Sequence, residues 1–243
     1  MRIHKKDPSI TVIMETLGSR PEKIVRAIKS VMAQTYKNRK LLIINYHPQR
    51  MQICGNVPVG LELINADDVF LRHVDQHKNN LNKVDTDCWT IVDDDDYIDP
   101  NHLQDMVDIW NNVSDRTDAP LQVCGQNTMA HYDNSVDKKL TFKGWGVSLF
   151  ERLTDKELEH VYKLFPANNI LGDDSWIAWN TYFDKRLYDG KYSYHWDRSG
   201  TDHLSAHESN RGETDKGKFQ QALNFWQMKI RARAKNLEPV ILN

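Results

Sequence analysis

The segment TIVDDDDYIDP, Thr90 to Pro100, joins residues suited to a buried strand directly to four consecutive aspartates. Adjacent carboxylates raise one another's pKa unless a cation relieves them. In open α/β sheets, ligands bind beyond the carboxyl ends of the strands. The run therefore falls where a bound ion would sit. A block of like charges is more often a solvated loop, but this one follows an apolar strand and precedes a helix. Asp99-Pro100 opens that helix, and Leu103, Met106, Val107 and Trp110 recur along it at helical spacing. A hard divalent cation, Mg²⁺ or Mn²⁺, is the simplest counter-charge. Such ions take one or two carboxylates and complete their shells with phosphate and water.

The chain before this segment predicts a parallel sheet. SITVIM (Ser9–Met14) reads as a buried strand. Ser19-x-x-Glu22 has the form of a capping box, with Pro21 in the first turn. Ile24, Ala27, Ile28, Val31 and Met32 then follow helical spacing, and LLIIN (Leu41–Asn45) is the next strand. Strand, helix, strand is the βαβ unit. LELIN (Leu61–Asn65) and CWTIV (Cys88–Val92) read as further strands, with an irregular helix over HKNNLNKV between them.

Beyond residue 111 the pattern becomes more β-like. LQVCG, TMAHY, KLTFK and YSYHW read as short strands. Thr154-x-x-Glu157 is a second capping box, leading the helix DKELEHVYKLF. Asp173–Phe183 reads as a helix with acids at its N-terminus, where the dipole favours them. A tail helix is expected from about 216 to 235, with Phe219, Ala222, Leu223, Trp226 and Ile230 on one face.

Composition narrows the function classes. With 243 residues and a formal net charge of −2, the chain suits one large domain and gives no electrostatic reason for nucleic acid as its main partner. Cys54, Cys88 and Cys124 are scattered and form no CxxC pair. A disulfide framework or zinc-cysteine site is not expected, and a reducing compartment is. The N-terminal MRIHKKDPS lacks the apolar stretch of a signal peptide, and no run is long and apolar enough to span a bilayer. The expected location is cytoplasmic. Two other acidic motifs fit poorly. Asp95-Asp96-x-x-Asp99 matches the DDxxD of all-helical prenyl diphosphate enzymes, but a β-rich strand precedes it and Pro100 interrupts the helix it would need. Gly172-Asp173-Asp174 resembles the GDD of some RNA polymerases, for which this chain is too short.

Several segments together resemble glycosyltransferase family 2 and the wider GT-A fold, over roughly residues 9 to 200. The opening through LLIIN is similar to the family's first strand and helix, with Ser30, Val31, Gln34, Thr35 and Tyr36 matching its Gln-Thr-Tyr turn. WTIVDDDDYIDPNHL resembles the metal-binding DxD segment, FKGWGVSLFERL the acceptor-side loop and the strand after it, and GDDSWIAWN the acidic pair that starts the catalytic helix. The resemblance implies an α/β GT-A fold: a Rossmann-like, mostly parallel sheet flanked by helices, a smaller β-rich acceptor side, and a C-terminal helix. It implies a glycosyltransferase domain over 1–210, with a nucleotide-sugar half at 1–110, an acceptor half at 111–210, and a helical tail at 211–243.

The implied reaction is a metal-dependent, inverting transfer of a sugar from a nucleotide-sugar donor to an acceptor hydroxyl. Asp174 is the implied general base, with Asp173 beside it raising its pKa. Asp95 is the implied metal ligand, and His195 falls where some GT-A enzymes place a late metal or diphosphate ligand. Asp93, Asp94, Thr16, Arg20, Asn45 and Lys78 are the donor-side residues. Trp145, beside Gly144 and Gly146, suits an acceptor platform, and a core tryptophan is the competing reading. The family's usual Pro is Glu15 here, and its nucleobase-binding Asp is Asn45, which both accepts and donates. Uracil is the preferred base. The acceptor stays open among a saccharide, a lipid carrier, a protein and a modified nucleobase in DNA. Lys216, Lys218, Lys229, Arg231, Arg233 and Lys235 make the tail basic, either as a solvated face or as a weak contact to a polyanion or membrane surface. A nucleotidyltransferase of related fold and a non-catalytic sugar-nucleotide or metal-binding module are the alternatives.

Overall fold

The computed structural model of the chain describes residues 2–18, 20–47, 49–66, 78–113, 117–125, 127–132, 137–141, 148–163, 182–188, 191–199 and 238–242. Three strands carry its centre: β1 (Ile10–Thr16), β2 (Arg39–Asn45) and β5 (Cys88–Ile91). β1 pairs in parallel with both of the others, Ile13 facing Leu42 on one side and Ile91 on the other. Their apolar runs are continuous because both faces are covered. Ile10, Val12, Met14, Leu41 and Ile43 pack into one core, whereas Ile13, Leu42, Ile44, Trp89 and Ile91 pack into a second on the opposite face.

Helices close the two faces. α1 (Pro21–Met32) buries Ile24, Ala27, Ile28 and Val31 in the first core. It begins with Pro21, whose missing N–H costs nothing in the first turn. Ser19 of the expected capping box lies outside the described residues, and Arg20 stands at the N-cap position without a capping hydrogen bond. α2 (His102–Asn111) adds Leu103, Met106, Val107 and Trp110 to the same core. α3 (Asp155–Lys163) adds Leu158 and Val161 to the second. Its capping box is formed: the Glu157 N–H donates to Thr154 Oγ1 at 3.4 Å, and Thr154 N–H donates to Glu157 Oε2 at 2.8 Å.

The remaining strands are β3 (Ile53–Gly55), β4 (Leu61–Asn65), β6 (Tyr97–Ile98), β7 (Leu121–Gly125), β8 (Asn127–Tyr132), β9 (Lys138–Thr141), β10 (Ser148–Glu151), β11 (Asp184–Tyr188), β12 (Tyr194–Arg198) and β13 (Val240–Leu242). Among the described residues, the main sheet has seven strands in the order β11-β7-β10-β5-β1-β2-β4. Its one antiparallel member is β10, which lies between β5 and β7. A second sheet runs β6-β12-β8-β9. It begins at the acidic segment and gives the smaller, β-rich side that the sequence pattern predicts. Of the expected helices, residues 173–181 and the whole of 216–235 lie outside the described residues. No helix among the described residues is long and apolar enough to cross a membrane.

The last described residues return to the first half of the chain. β13 pairs in parallel with β3, Leu242 opposite Gly55. Gly55 has φ +93°, and a Cβ there would lie 2.0 Å from the Leu242 carbonyl oxygen. Only glycine meets both demands. Gly55→Ala is expected to cost about 1–3 kcal/mol and to release the C-terminal strand. Urea unfolding together with the rate of carboxypeptidase trimming measures both effects, and unchanged trimming would show that this contact does not hold the terminus.

Candidate active site

The order of the main sheet places a switch point between β1 and β5. The chain leaves β1 towards β2 on one side, and β5 flanks β1 on the other. The aspartate run lies at the carboxyl end of β5, beside that crevice. Val92 N–H donates to the Ile13 carbonyl at 3.0 Å, the last rung before the run. Asp96 N–H then donates to the Asp93 carbonyl at 3.1 Å, closing a tight turn into β6.

This turn sends the four carboxylates into different surroundings. Asp93 is exposed, Asp94 buried, Asp95 half-buried and Asp96 buried. Asp94 accepts from Thr16 Oγ1 at 2.6 Å and from one terminal nitrogen of Arg20. The other terminal nitrogen of Arg20 donates to Asp95. Asp96 accepts from the Tyr194 hydroxyl and from the Asp197 backbone N–H at 3.0 Å. Burial raises the Asp94 carboxyl above its ordinary range, against the pull of Arg20. Burial, reinforced by the charges of Asp93 and Asp95, pushes the Asp96 carboxyl well up.

Asp93, Asp95 and Asp96 each offer a carboxylate oxygen within 4.8 Å of the others. The donor set is all oxygen and anionic, which suits Mg²⁺ or Mn²⁺ and not a soft metal. Asp94 is not in this group, since its oxygens are turned towards Thr16 and Arg20.

A further layer fixes the turn from outside. Arg26 donates to the Asp95 carbonyl at 2.6 Å and to Asp197, and its guanidinium lies 4.6 Å from the centre of the Tyr97 ring. Burial works to raise the Asp197 carboxyl, but hydrogen bonds from Ser199 and Arg26 overcome it and hold the group well below the usual carboxylate range. Asp197 is thus an ionised anchor whose backbone N–H supports Asp96.

The Gln-Thr-Tyr turn after α1 clamps the other end of the segment. Gln34 Nε2 donates to the Asp99 carbonyl at 2.7 Å, and its Oε1 accepts from Leu103 N–H at 3.0 Å. Thr35 N–H donates to the Pro100 carbonyl at 2.8 Å. Tyr36 reaches back to the Pro8 carbonyl before β1, at 2.7 Å. These residues place the start of α2 against the end of α1 and so aim the acidic turn.

The residues singled out in the sequence divide by position. Thr16 and Arg20 meet the acids. Asn45 is buried, and its Nδ2 is taken by Gln49 O at 3.0 Å and Asn65 Oδ1 at 2.8 Å, while its Oδ1 accepts from His47 N–H at 3.1 Å. Its amide shapes the loop after β2. Lys78 lies 5.9 Å from the centre of the Tyr162 ring and lines a surface cavity with Arg152 and Glu159. His195 stacks on Tyr97, with ring centres 4.4 Å apart. Its Nε2 contacts Asp99 Oδ1 at 3.0 Å and its Nδ1 contacts His131 Nε2 at 2.9 Å. Burial lowers its pKa, against the pull of Asp99. Asp173, Asp174, Trp145 and Gly144 lie outside the described residues.

Sequence reasoning missed Arg26, Tyr194 and Asp197 and gave Asp96 no role. Arg26 looks like an ordinary exposed position of α1. The one available signal for the others was YSYHWDR, a strand with an acid at its end.

The strand order, the single antiparallel strand and the acidic turn at the switch point define a GT-A fold of the Rossmann-like α/β class. S. aureus TarS has the same fold. Its residues 1–349 in complex with UDP-GlcNAc superpose with a TM-score of 0.60 at 12% identity, over 93% of this chain and 66% of that one. The complex of the same TarS segment with UDP gives 0.56 at 12% identity, over 78% and 60%. The chain thus spans less than two thirds of those two structures. A further structure of TarS 1–349 gives 0.56 at 12% identity, over 94% and 83%. No protein-family model matches the sequence, and no curated protein matches it.

Proposed function

We propose that the chain is a glycosyltransferase that moves a sugar from a nucleotide-sugar donor, preferably a UDP-sugar, to an acceptor hydroxyl with inversion. The observation that carries this reading is the group Asp93, Asp95 and Asp96, gathered at the carboxyl end of β5 beside the switch point. The S. aureus TarS structures of the same fold hold UDP and UDP-GlcNAc, which supports a donor of that class. Asp93, Asp95 and Asp96 would hold Mn²⁺ or Mg²⁺, and such an ion supplies Lewis-acid neutralisation of the departing diphosphate.

The chain's own residues have separate tasks. Arg20 and Thr16 fix Asp94 and so the backbone of the turn. Tyr194 and Asp197 orient Asp96. Asp174, with Asp173 beside it, would take the proton from the acceptor hydroxyl. Trp145 and Gly144 would line the acceptor side. A cytoplasmic setting is part of this reading, from the three scattered cysteines of the sequence. The basic 216–235 segment would give at most a weak polyanion or membrane contact.

A thermal-shift panel tests the donor directly. Ligand binding stabilises the folded chain by mass action, about 2.7 kcal/mol at a hundredfold excess over Kd. UDP or a UDP-sugar with Mn²⁺ is expected to raise Tm more than the other nucleoside diphosphates do, and more than UDP without metal. No shift with any nucleotide, with or without Mn²⁺, would refute the reading.

A further inference from the structure

Arg20 precedes Pro21 at the start of α1, with its side chain 14% exposed. Its two terminal nitrogens are divided between Asp94 and Asp95. Asp94 takes no part in the cation group, whereas Asp95 belongs to it. The guanidinium's Nε–H is buried and has no hydrogen-bond partner among the described residues. Buried donors are almost always satisfied, so an orphaned one calls for an acceptor. A guanidinium recognises phosphate oxygens in a planar, forked geometry. The neighbouring cations have other tasks: Lys23 and Arg26 turn their charges to Asp197.

We propose that Arg20 couples metal binding to diphosphate binding. Without metal, Arg20 is the internal counter-ion of Asp95. A divalent cation at the same carboxylate sits close to the guanidinium, and the like charges repel. The metal alone is therefore held weakly. A diphosphate brings anionic oxygens that satisfy the orphaned Nε–H and offset both cations together. Each ligand then strengthens the other by the same factor, as linkage requires. The inference rests on the donor reading above and adds to it a defined order of affinities. A purely structural Arg20 would leave that coupling untouched when replaced.

The test measures Mn²⁺ binding to the full chain by calorimetry, with and without saturating UDP, in the wild type, Arg20→Gln and Arg20→Lys. In the wild type, UDP is expected to tighten Mn²⁺ binding by about 5–150-fold, the usual span of such coupling. Arg20→Gln should bind Mn²⁺ alone several-fold more tightly and lose most of the enhancement by UDP. Arg20→Lys keeps the charge and loses the fork, so weak binding of Mn²⁺ alone should persist while the enhancement shrinks. Circular dichroism verifies folding. If Arg20→Gln does not fold, Arg20→Lys decides: an unchanged enhancement overturns the inference. An Arg20→Gln that folds, binds Mn²⁺ no more tightly and keeps the full enhancement also overturns it, with the donor reading intact. If the wild type binds neither Mn²⁺ nor UDP, the donor reading falls first and the inference with it.

Discussion

Asp174→Asn is expected to lower sugar transfer about 10²–10⁴-fold while leaving affinity for UDP and Mn²⁺ nearly unchanged. The amide keeps the size and hydrogen-bonding reach of the carboxylate but cannot accept the acceptor's proton. The reaction then has no positioned base as the oxygen attacks the sugar carbon. The donor and metal residues lie on the other side of the chain order, at Thr16, Arg20 and Asp93–Asp96. Binding should therefore survive. Asp173 sharpens the test through pH. If Asp173 acts on Asp174 as proposed, its charge would favour the protonated base, so activity should rise with pH through a value above that of an ordinary aspartate. In Asp173→Asn that rise should move to lower pH. Steady-state rates across pH, with UDP binding measured separately, check both statements. Full activity in Asp174→Asn would refute its role as base.

Trp89→Ala should cost about 3–5 kcal/mol of folding stability, the range for removing a large buried aromatic. Trp89 is 1% exposed in β5 and stacks on Phe150 of β10, with ring centres 4.4 Å apart and planes within 15°. Phe183 meets the edge of Phe150 with its ring centre 5.4 Å away. This stack fills the second core where β10 lies antiparallel against β5. The surrounding β-strands cannot collapse into the void without breaking their ladders. Trp89 lies four residues before Asp93, so loss of the stack also loosens the strand that presents the acids. Urea unfolding measures the stability, and a Tm lower by about 6–20 °C is expected for a chain of this size. A loss below about 1 kcal/mol would mean that the core refills and that Trp89 does not set the position of β5.

The strands most plainly legible in the sequence were those buried on both faces, although LELIN, LQVCG, TMAHY, KLTFK and YSYHW also read as strands and fall on β4, β7, β8, β9 and β12. In β1, β2 and β5 a short continuous apolar run suits a strand covered on both faces, and the sheet shows them where the pattern puts them. The formed Thr154–Glu157 box was readable because both its partners lie within one turn of helix. β3, β11 and β13 escaped notice. β11 is DKRLY, a strand at the edge of the sheet with one fully buried residue, and β3 and β13 are three residues each. Such segments carry too little period to signal themselves. They exist because a neighbouring edge offers unpaired backbone groups.

The candidate site divides along the same line. Its location could be deduced from residues 90–100 alone, since a buried strand that runs into clustered acids requires a counter-charge at its end. What neutralises each acid could not. Arg20 reaches Asp94 and Asp95 across 74 and 75 residues, and Tyr194 reaches Asp96 across 98. No local pattern encodes those distances. The fold decides which aspartate is turned inward to Arg20 and Thr16 and which remain to face a cation. It does so because the packed neighbours of the turn after β5, and not the run of like residues itself, determine what each carboxylate meets.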